Sequence, residues 1–319
     1  MEIFDPYELA PHIPNYFSYG GLNRDFMLRE DDFCLDSVLE ESKTLIVPIW
    51  KSLNLFYKNT KKKCNPIPIF LKKEDAKDLI EIAKVKVYLG KQKIKNHYIS
   101  YLALDISSLQ NDEVKNKFSP GCEFSDLREI GSLIDGIEGS ILAYAKGIIF
   151  WHSQNKYCGL CGNLTIPTKG GHQRICSRNE CNTFHFPRID PTVIMLVKNK
   201  ERILLGRQKI WPAGLYSTLA GYVETGETIE HAVAREVYEE AGIVVKNIIY
   251  QHSQPWPFPT SLMLGFTAEA CTDRINLNET ELEDAQWFTR DEMLRFEKKG
   301  KLLPREVSIS RRLIDDWLY

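Results

Sequence analysis

Residues 221–243 read GYVETGETIEHAVAREVYEEAGI, and this is where the chain can do chemistry. Glu236 and Glu240 are four apart, so on a helix they project from one face about a turn apart, with Glu239 beside them. Ile229, Val233, Val237 and Ala241 recur at the same step and supply an apolar stripe that can seat the helix on a sheet. Arg235 stands four residues before Glu239, a spacing at which the two side chains fix each other. Gly242 falls where a helix ends in a left-handed residue. Carboxylates at one-turn spacing suit a hard divalent cation: Mg²⁺ takes oxygen ligands, keeps some water and bridges to phosphates. Two or more such ions can hold a diphosphate and activate water for attack on phosphorus. Gly221 and Gly226 in the preceding loop allow close backbone approach. The competing reading of clustered glutamates is a solvated helix face.

A second constellation is Cys158, Cys161, Cys176 and Cys181, spaced C-x2-C-x14-C-x4-C. Paired cysteines flanking a loop can close a tetrahedral thiolate site on one Zn²⁺, and four thiolates leave no open position, so the site is structural. His185 is an alternative to Cys181 as fourth ligand. Cys34, Cys64, Cys122 and Cys271 are scattered, which argues against a secreted disulfide framework and for a reducing compartment. Nothing around the cluster is strongly basic, so it reads as a brace rather than a nucleic-acid contact.

The third motif is Ser253-Gln254-Pro255-Trp256-Pro257-Phe258-Pro259-Thr260-Ser261. Alternating prolines and aromatics make a stiff loop bearing flat side chains. It can stack on a base or seal a core, and both readings stand.

The elements that must position these groups follow from periodicity. Residues 44–50, 53–57, 85–89 and 97–106 read as strands and 73–84 as a helix, which gives a small mixed α/β domain. Lys61, Lys62 and Lys63 read as a solvated turn. Ile134, Ile137, Ile141, Ala145 and Ile148 line one face of a helix over 125–155, weakened by Gly131, Gly136, Gly139 and Gly147. Beyond Pro187, residues 192–198, 202–208, 243–253 and 261–270 read as strands, with helices at 228–241, 290–300 and 306–318. That order suggests an α/β sandwich. The division is an N-terminal domain over 1–150, a zinc ribbon over 151–188 and a chemical domain over 189–319. The composition is ordinary, with 43% apolar residues and a net charge of −2, which excludes an overall basic nucleic-acid binder. The first residues lack the basic start and apolar run of a secretory signal, and no apolar run is long enough to cross a bilayer. A soluble cytoplasmic chain with no membrane partner is expected.

The acidic segment reads Gly221-x5-Glu227-x7-Arg235-Glu236-Val237-x-Glu239-Glu240-x-Gly242-Ile243 and resembles the Nudix box at every defined position. A chance match in a chain of this length is on the order of 10⁻⁷. SQPWPFPxS after such a box, a four-cysteine ribbon directly before it and a separate N-terminal domain resemble the NADH pyrophosphatase family of Nudix hydrolases. The likeness runs through FWHSQNKYCGLCG, FHFPRIDPTVI, TLAGYVETGE and SRRLIDDWL; over residues 1–120 only position supports it. The resemblance implies a Nudix α/β/α sandwich that hydrolyses NAD(H) to NMN(H) and AMP, removes NAD caps from RNA and forms a homodimer. It implies that Glu236, Glu240, the Ala220 carbonyl and Glu269 bind catalytic Mg²⁺ or Mn²⁺, with Glu240 or Glu239 as the base, and that the four cysteines hold Zn²⁺. It implies substrate contacts at Phe186, Tyr222, Gln254, Pro255, Trp256, Pro257, Phe258, Pro259, Thr260, Ser261 and Ser310. Two departures stand out: the Cys176–Cys181 gap is longer than the commonest family spacing, and Phe186 replaces the usual tyrosine.

Overall fold

Two larger sheets, built from strands rich in β-branched and aromatic residues, and a small three-stranded one organise the described residues. The computed structural model describes residues 14–58 and 65–319, and the Lys61–Lys63 run lies outside them. The chain divides into one unit running to Arg188 and including Pro257–Thr260, and a second comprising Ile189–Trp256 and Ser261–Tyr319.

In the first unit the strands are β1 (Thr44–Trp50), β2 (Leu53–Tyr57), β3 (Ile67–Pro68), β4 (Leu71–Lys72), β5 (Val85–Ile94), β6 (His97–Asp105) and β7 (Cys122–Ser125). They run in the order β3-β2-β1-β6-β5, with β4 on β1 and β7 on β2. β1 and β6 are parallel. The helices are α1 (Phe26–Glu30), α2 (Cys34–Glu40), α3 (Lys77–Ile82), α4 (Asn111–Lys117), α5 (Leu127–Ile130) and α6 (Gly136–Gln154). Val38, Ile46, Leu79, Tyr88, Leu102 and Leu104 form a common core. The helix expected over 125–155 starts at α6, where the Asp135 carboxylate accepts from the Ile137 amide at 3.0 Å. Before it the expected helix is interrupted by a 3₁₀ turn that begins at Gly131, whereas Gly136, Gly139 and Gly147 lie within α6. A Cβ at Gly136 would strike the Tyr19 ring, so that glycine serves close packing. The ribbon follows as β8 (Thr165–Thr168), β9 (Gln173–Cys176) and β10 (Phe184–His185), in the order β10-β9-β8.

The second unit contains β11 (Asp190–Asn199), β12 (Arg202–Arg207), β13 (Leu219–Tyr222), α7 (Ile229–Ala241), β14 (Val245–Trp256), β15 (Ser261–Ala270), β16 (Asp284–Thr289), α8 (Arg290–Met293) and α9 (Ile309–Leu318). The order is β14-β15-β11-β12-β16, with β13 on β11 and with β11 parallel to β15. Period-two alternation on β11 sends Val193, Met195 and Val197 to one face, against Val233, Val237 and Ala241 of α7. Ile194 and Leu196 go to the other, against Ile309, Leu313 and Ile314 of α9. The result is an α/β/α sandwich.

Other boundaries differ from expectation as well. The strand placed at 243–253 runs through Trp256, because Gln254, Pro255 and Trp256 pair with Met263, Leu262 and Ser261. The helix expected over 290–300 is only α8 followed by a 3₁₀ turn at Glu297–Lys299; Met293 and Phe296, three apart, both turn inward. The last helix begins at Ile309, capped by Ser308, whose hydroxyl accepts from the Ser310 amide at 3.2 Å. Among the described residues no helix is long and apolar enough to cross a membrane.

Candidate metal and substrate site

Helix α7 is fixed at both ends by its own sequence. The Thr228 hydroxyl accepts from the His231 amide at 3.3 Å, and Gly242 closes the helix with φ 67°. Arg235 then organises the acidic face. Its Nε donates to Glu227 at 2.9 Å, its Nη1 to Glu236 and Glu239 at 2.8 Å each, and its Nη2 to Glu227 and to the Tyr222 carbonyl at 2.9 Å each. All five guanidinium donors are used, and together they tie the box loop to the helix.

Glu236 and Glu240 are buried, at 9% and 4% exposure. Glu236 lies over β13, where a Cβ on Gly221 would overlap its carboxylate. Burial raises the Glu236 carboxyl above the usual carboxylate range, opposed by Arg235. Burial, then the charges of Glu236 and Glu281, push Glu240 up to about 8, opposed by a hydrogen bond from the Ala220 backbone. The Glu240 Oε2 is buried and finds no partner. A carboxylate pair of this kind is short of positive charge, which suits it to a hard divalent cation.

Glu281 is a further carboxylate, whose negative charge helps to raise the Glu236 and Glu240 carboxyls. It follows a loop tied to the end of α7, where the Asn276 amide donates to the Ala241 carbonyl at 2.8 Å and the Asn278 amide to the Glu240 carbonyl at 3.1 Å. Phe266 and Ala268 of β15 face the α7 core, while Glu269, between Ala268 and Ala270 on the same strand, is exposed and accepts from Asn247 at 2.8 Å.

The proline-aromatic motif divides. Gln254 is fully buried; its Nε2 donates to the Val307 carbonyl and its Oε1 accepts from the Ile309 amide, both at 2.8 Å. The Ser310 hydroxyl, 1% exposed, is committed to Ser217 and to the Thr218 amide and hydroxyl at 2.8–3.1 Å. These two side chains fasten the start of α9. Pro257–Thr260 form the turn. Phe258 packs edge-on against Phe17 at 6.0 Å, with Lys146 5.3 Å and Arg128 5.9 Å from its ring centroid, and for this ring packing prevails over stacking on a base. Pro255 is exposed, Trp256 half-buried and Ser261 buried. Tyr222 and Phe186 present largely exposed rings.

The four cysteine sulfurs lie within 4.8 Å of one another, among the described residues the one such group of three or more candidate ligands. Cys158 and Cys181 are 3.8 Å apart and Cys161 and Cys176 3.4 Å. A tetrahedral Zn–S bond of about 2.3 Å implies S···S separations near ~3.8 Å, so the residues fit the ion. The first knuckle closes through Gly162, whose φ of 75° suits glycine and whose amide donates to the Cys158 carbonyl at 2.8 Å. Hydrogen bonds from Asn163, backbone first and then side chain, hold the Cys161 thiol down at about 6. His185 is not part of the group.

The NUDIX domain profile matches residues 188–313. The chain is 40% identical over 233 residues to the NAD-capped RNA hydrolase NUDT12 of Macaca fascicularis, covering 69% of this chain and 50% of that one. It is 42% identical over 199 residues to the NAD-capped RNA hydrolase NudC of Pseudomonas aeruginosa strain LESB58, covering 62% and 68%. It is 45% identical over 163 residues to Nudix hydrolase 19, chloroplastic, of Arabidopsis thaliana, covering 49% and 37%. The chain thus spans about half the length of the primate relative, and slightly more than two thirds of the Pseudomonas one.

Proposed function

Because the chain belongs to the NADH pyrophosphatase family of Nudix hydrolases, we propose that it hydrolyses the pyrophosphate bond of NAD(H) to NMN(H) and AMP and removes NAD caps from RNA. The observation that carries this reading is the pair Glu236 and Glu240, buried on one face of α7, with Glu240 Oε2 unpartnered and Glu236 lying over a position without a side chain. The printed names of the relatives, NAD-capped RNA hydrolases, support the substrate class.

On this reading Glu236, Glu240, Glu269 and the Ala220 carbonyl hold Mg²⁺ or Mn²⁺. When bound, the ions neutralise the diphosphate and make a water more acidic. Arg235 keeps Glu227, Glu236 and Glu239 in fixed rotamers. Glu239 or Glu240 takes the proton from the attacking water. Tyr222 and Phe186 offer faces for stacking, and Pro255, Trp256 and Ser261 contribute to dinucleotide selection. The four cysteines hold Zn²⁺ and stiffen the ribbon. Functionally the chain divides at 1–150, 151–188 and 189–319. An apolar row on the ribbon sheet, Ile166, Ile175 and Phe184 in register with Phe184 and Ile166 half exposed, supports a homodimer. The unpaired thiols support a reducing compartment such as the cytoplasm.

The test is incubation of purified protein with NADH and Mg²⁺ or Mn²⁺, followed by separation of the products. AMP and NMNH are expected. Cleavage of another dinucleotide with NADH left intact would refute the substrate assignment.

A further inference from the structure

β5 is the edge strand of the first sheet. The hairpin of β5 and β6 with its turn carries Lys86, Lys91, Lys93, Lys95 and His97 and one carboxylate, Asp105 at the end of β6, in a chain whose net charge is −2. Positive charge is therefore concentrated on this hairpin. The register sets Lys91 opposite Ser100 and Lys93 opposite Tyr98. Side chains two apart on a strand share a face at about 7 Å, so Lys91, Lys93 and Tyr98 lie together on one face.

The Lys91 ammonium stands 5.9 Å from the Tyr98 ring centroid, and Tyr98 is 52% exposed. Lys91 also pairs with Asp25 at 2.5 Å. Among the described residues no ion pair engages Lys93 or Lys95, and both are exposed. Asn23 bridges Lys91 by two backbone hydrogen bonds of 2.8 Å, which brings Arg24 to the same edge, its guanidinium 4.4 Å from the Tyr144 ring centroid.

Lysines on an edge strand oppose edge-to-edge pairing. That task does not require an exposed ring among the lysines. The exposed ring beside unpaired lysines suits single-stranded nucleic acid, whose phosphates take the cations while a base stacks on the ring. We propose that the β5–β6 hairpin binds the RNA chain that bears the dinucleotide cap. This rests on the capped-RNA reading of the α7 site and adds to it a surface for the polymer.

The experiment uses the full chain and the variant Lys93→Gln/Lys95→Gln/Tyr98→Ala, all exposed positions remote in sequence from the α7 residues. Three quantities are measured: anisotropy of a labelled, 5′-phosphorylated single-stranded oligoribonucleotide, hydrolysis of NADH, and hydrolysis of the same oligonucleotide carrying an NAD cap. The unaltered chain binds the oligonucleotide in a salt-dependent way. In the variant, binding weakens about tenfold at 0.1 M salt, and the log–log salt slope becomes shallower by about 1.4, the contribution of two phosphate contacts. kcat/KM on capped oligonucleotide falls by a similar factor while hydrolysis of NADH is unchanged. Equal binding and equal slopes in the two proteins overturn the proposal and leave edge protection as the lysines' task. A parallel fall on NADH and capped oligonucleotide overturns it as well. If the unaltered chain cleaves neither substrate, the α7 reading fails, and the anisotropy measurement alone still decides the hairpin.

Discussion

The Glu236 carboxylate occupies the space that a side chain at position 221 would need. The absence of a Cβ on β13 and the burial of a glutamate on α7 are therefore one feature, formed by two residues fifteen positions apart in the chain. Adding a methyl group at Gly221 must displace Glu236 from its place and loosen its 2.8 Å bond to Arg235.

Gly221→Ala is accordingly expected to lower kcat on NADH by about 10² or more, since a displacement near 1 Å at a reacting centre costs that much. The required concentration of Mg²⁺ should rise in parallel. Steady-state kinetics across a magnesium titration checks this. Unchanged kcat and metal dependence would mean that Glu236 is not a ligand.

Glu240→Gln separates catalysis from folding. The carboxyl is pushed up to about 8 in the fold, against 4.5 in its ordinary state, chiefly by burial. A group whose folded pKa is raised favours the fold below its unfolded value, and that contribution is lost as pH rises through the folded one. The cation-free chain should therefore lose stability between pH 4.5 and 8, and Glu240→Gln should flatten that part of the profile. Activity should fall by about 10³ or more, as expected for removal of a group that holds the reacting centre. Denaturation midpoints against pH in the presence of a chelator, together with NADH turnover, provide the check. An unchanged turnover would place the chemistry elsewhere.

Gln254→Ala separates a positioning role from a substrate contact. The substitution leaves the Val307 carbonyl and the Ile309 amide buried without their 2.8 Å partners. Unsatisfied buried groups cost about 1–3 kcal/mol each, so urea unfolding of the second unit should shift by about 2–4 kcal/mol. KM for NADH, measured where the variant is folded, should hold steady. A raised KM with unchanged stability would place Gln254 in the substrate site.

Much of this was legible in the sequence because it rests on period. The stripe of Ile229, Val233, Val237 and Ala241 identifies α7 and its buried face, and β-branched runs identify β11 and β12. The cysteine spacing brings four sulfurs together through local knuckles. Glu281 was not legible, because its place depends on the Asn276 and Asn278 amides reaching the end of α7, a relation through space that no spacing encodes. The exposure of Glu269 was legible: with Phe266 and Ala268 inward, period-two alternation sends it outward. The motif 253–261 misled differently. Its prolines suggest a loop, but Pro255 tolerates strand pairing, and only residues 257–260 turn.

The last prediction concerns acid sensitivity of the ribbon's neighbourhood. His152 is fully buried; its Nε2 donates to the Gly171 carbonyl at 2.7 Å, and its Nδ1 accepts from Arg174 at 2.7 Å. Arg174 is held in turn by Thr165 through bonds of 2.7 and 2.8 Å. The ring must stay neutral, since a proton on Nδ1 would face a guanidinium. Burial above all holds His152 at about 4, below its ordinary 6.5. The same cause holds His172, bonded to the Tyr88 carbonyl at 2.7 Å, at about 4. For a base with a depressed folded pKa, stability is fully present above the unfolded value and is lost as pH falls towards the folded one. The first unit should therefore weaken between pH 6.5 and 4, by up to about 3 kcal/mol from His152 alone. Above pH 5 the ordinary carboxylates are still largely ionised, and carrying Glu240→Gln in both proteins removes the opposite contribution of that raised carboxyl, so pH 5–7 then reads the histidines. In that window His152→Gln, which keeps one donor and one acceptor, should unfold with a flatter pH dependence than the parent chain. A parent midpoint that does not move between pH 7 and 5 would show that neither histidine is held neutral.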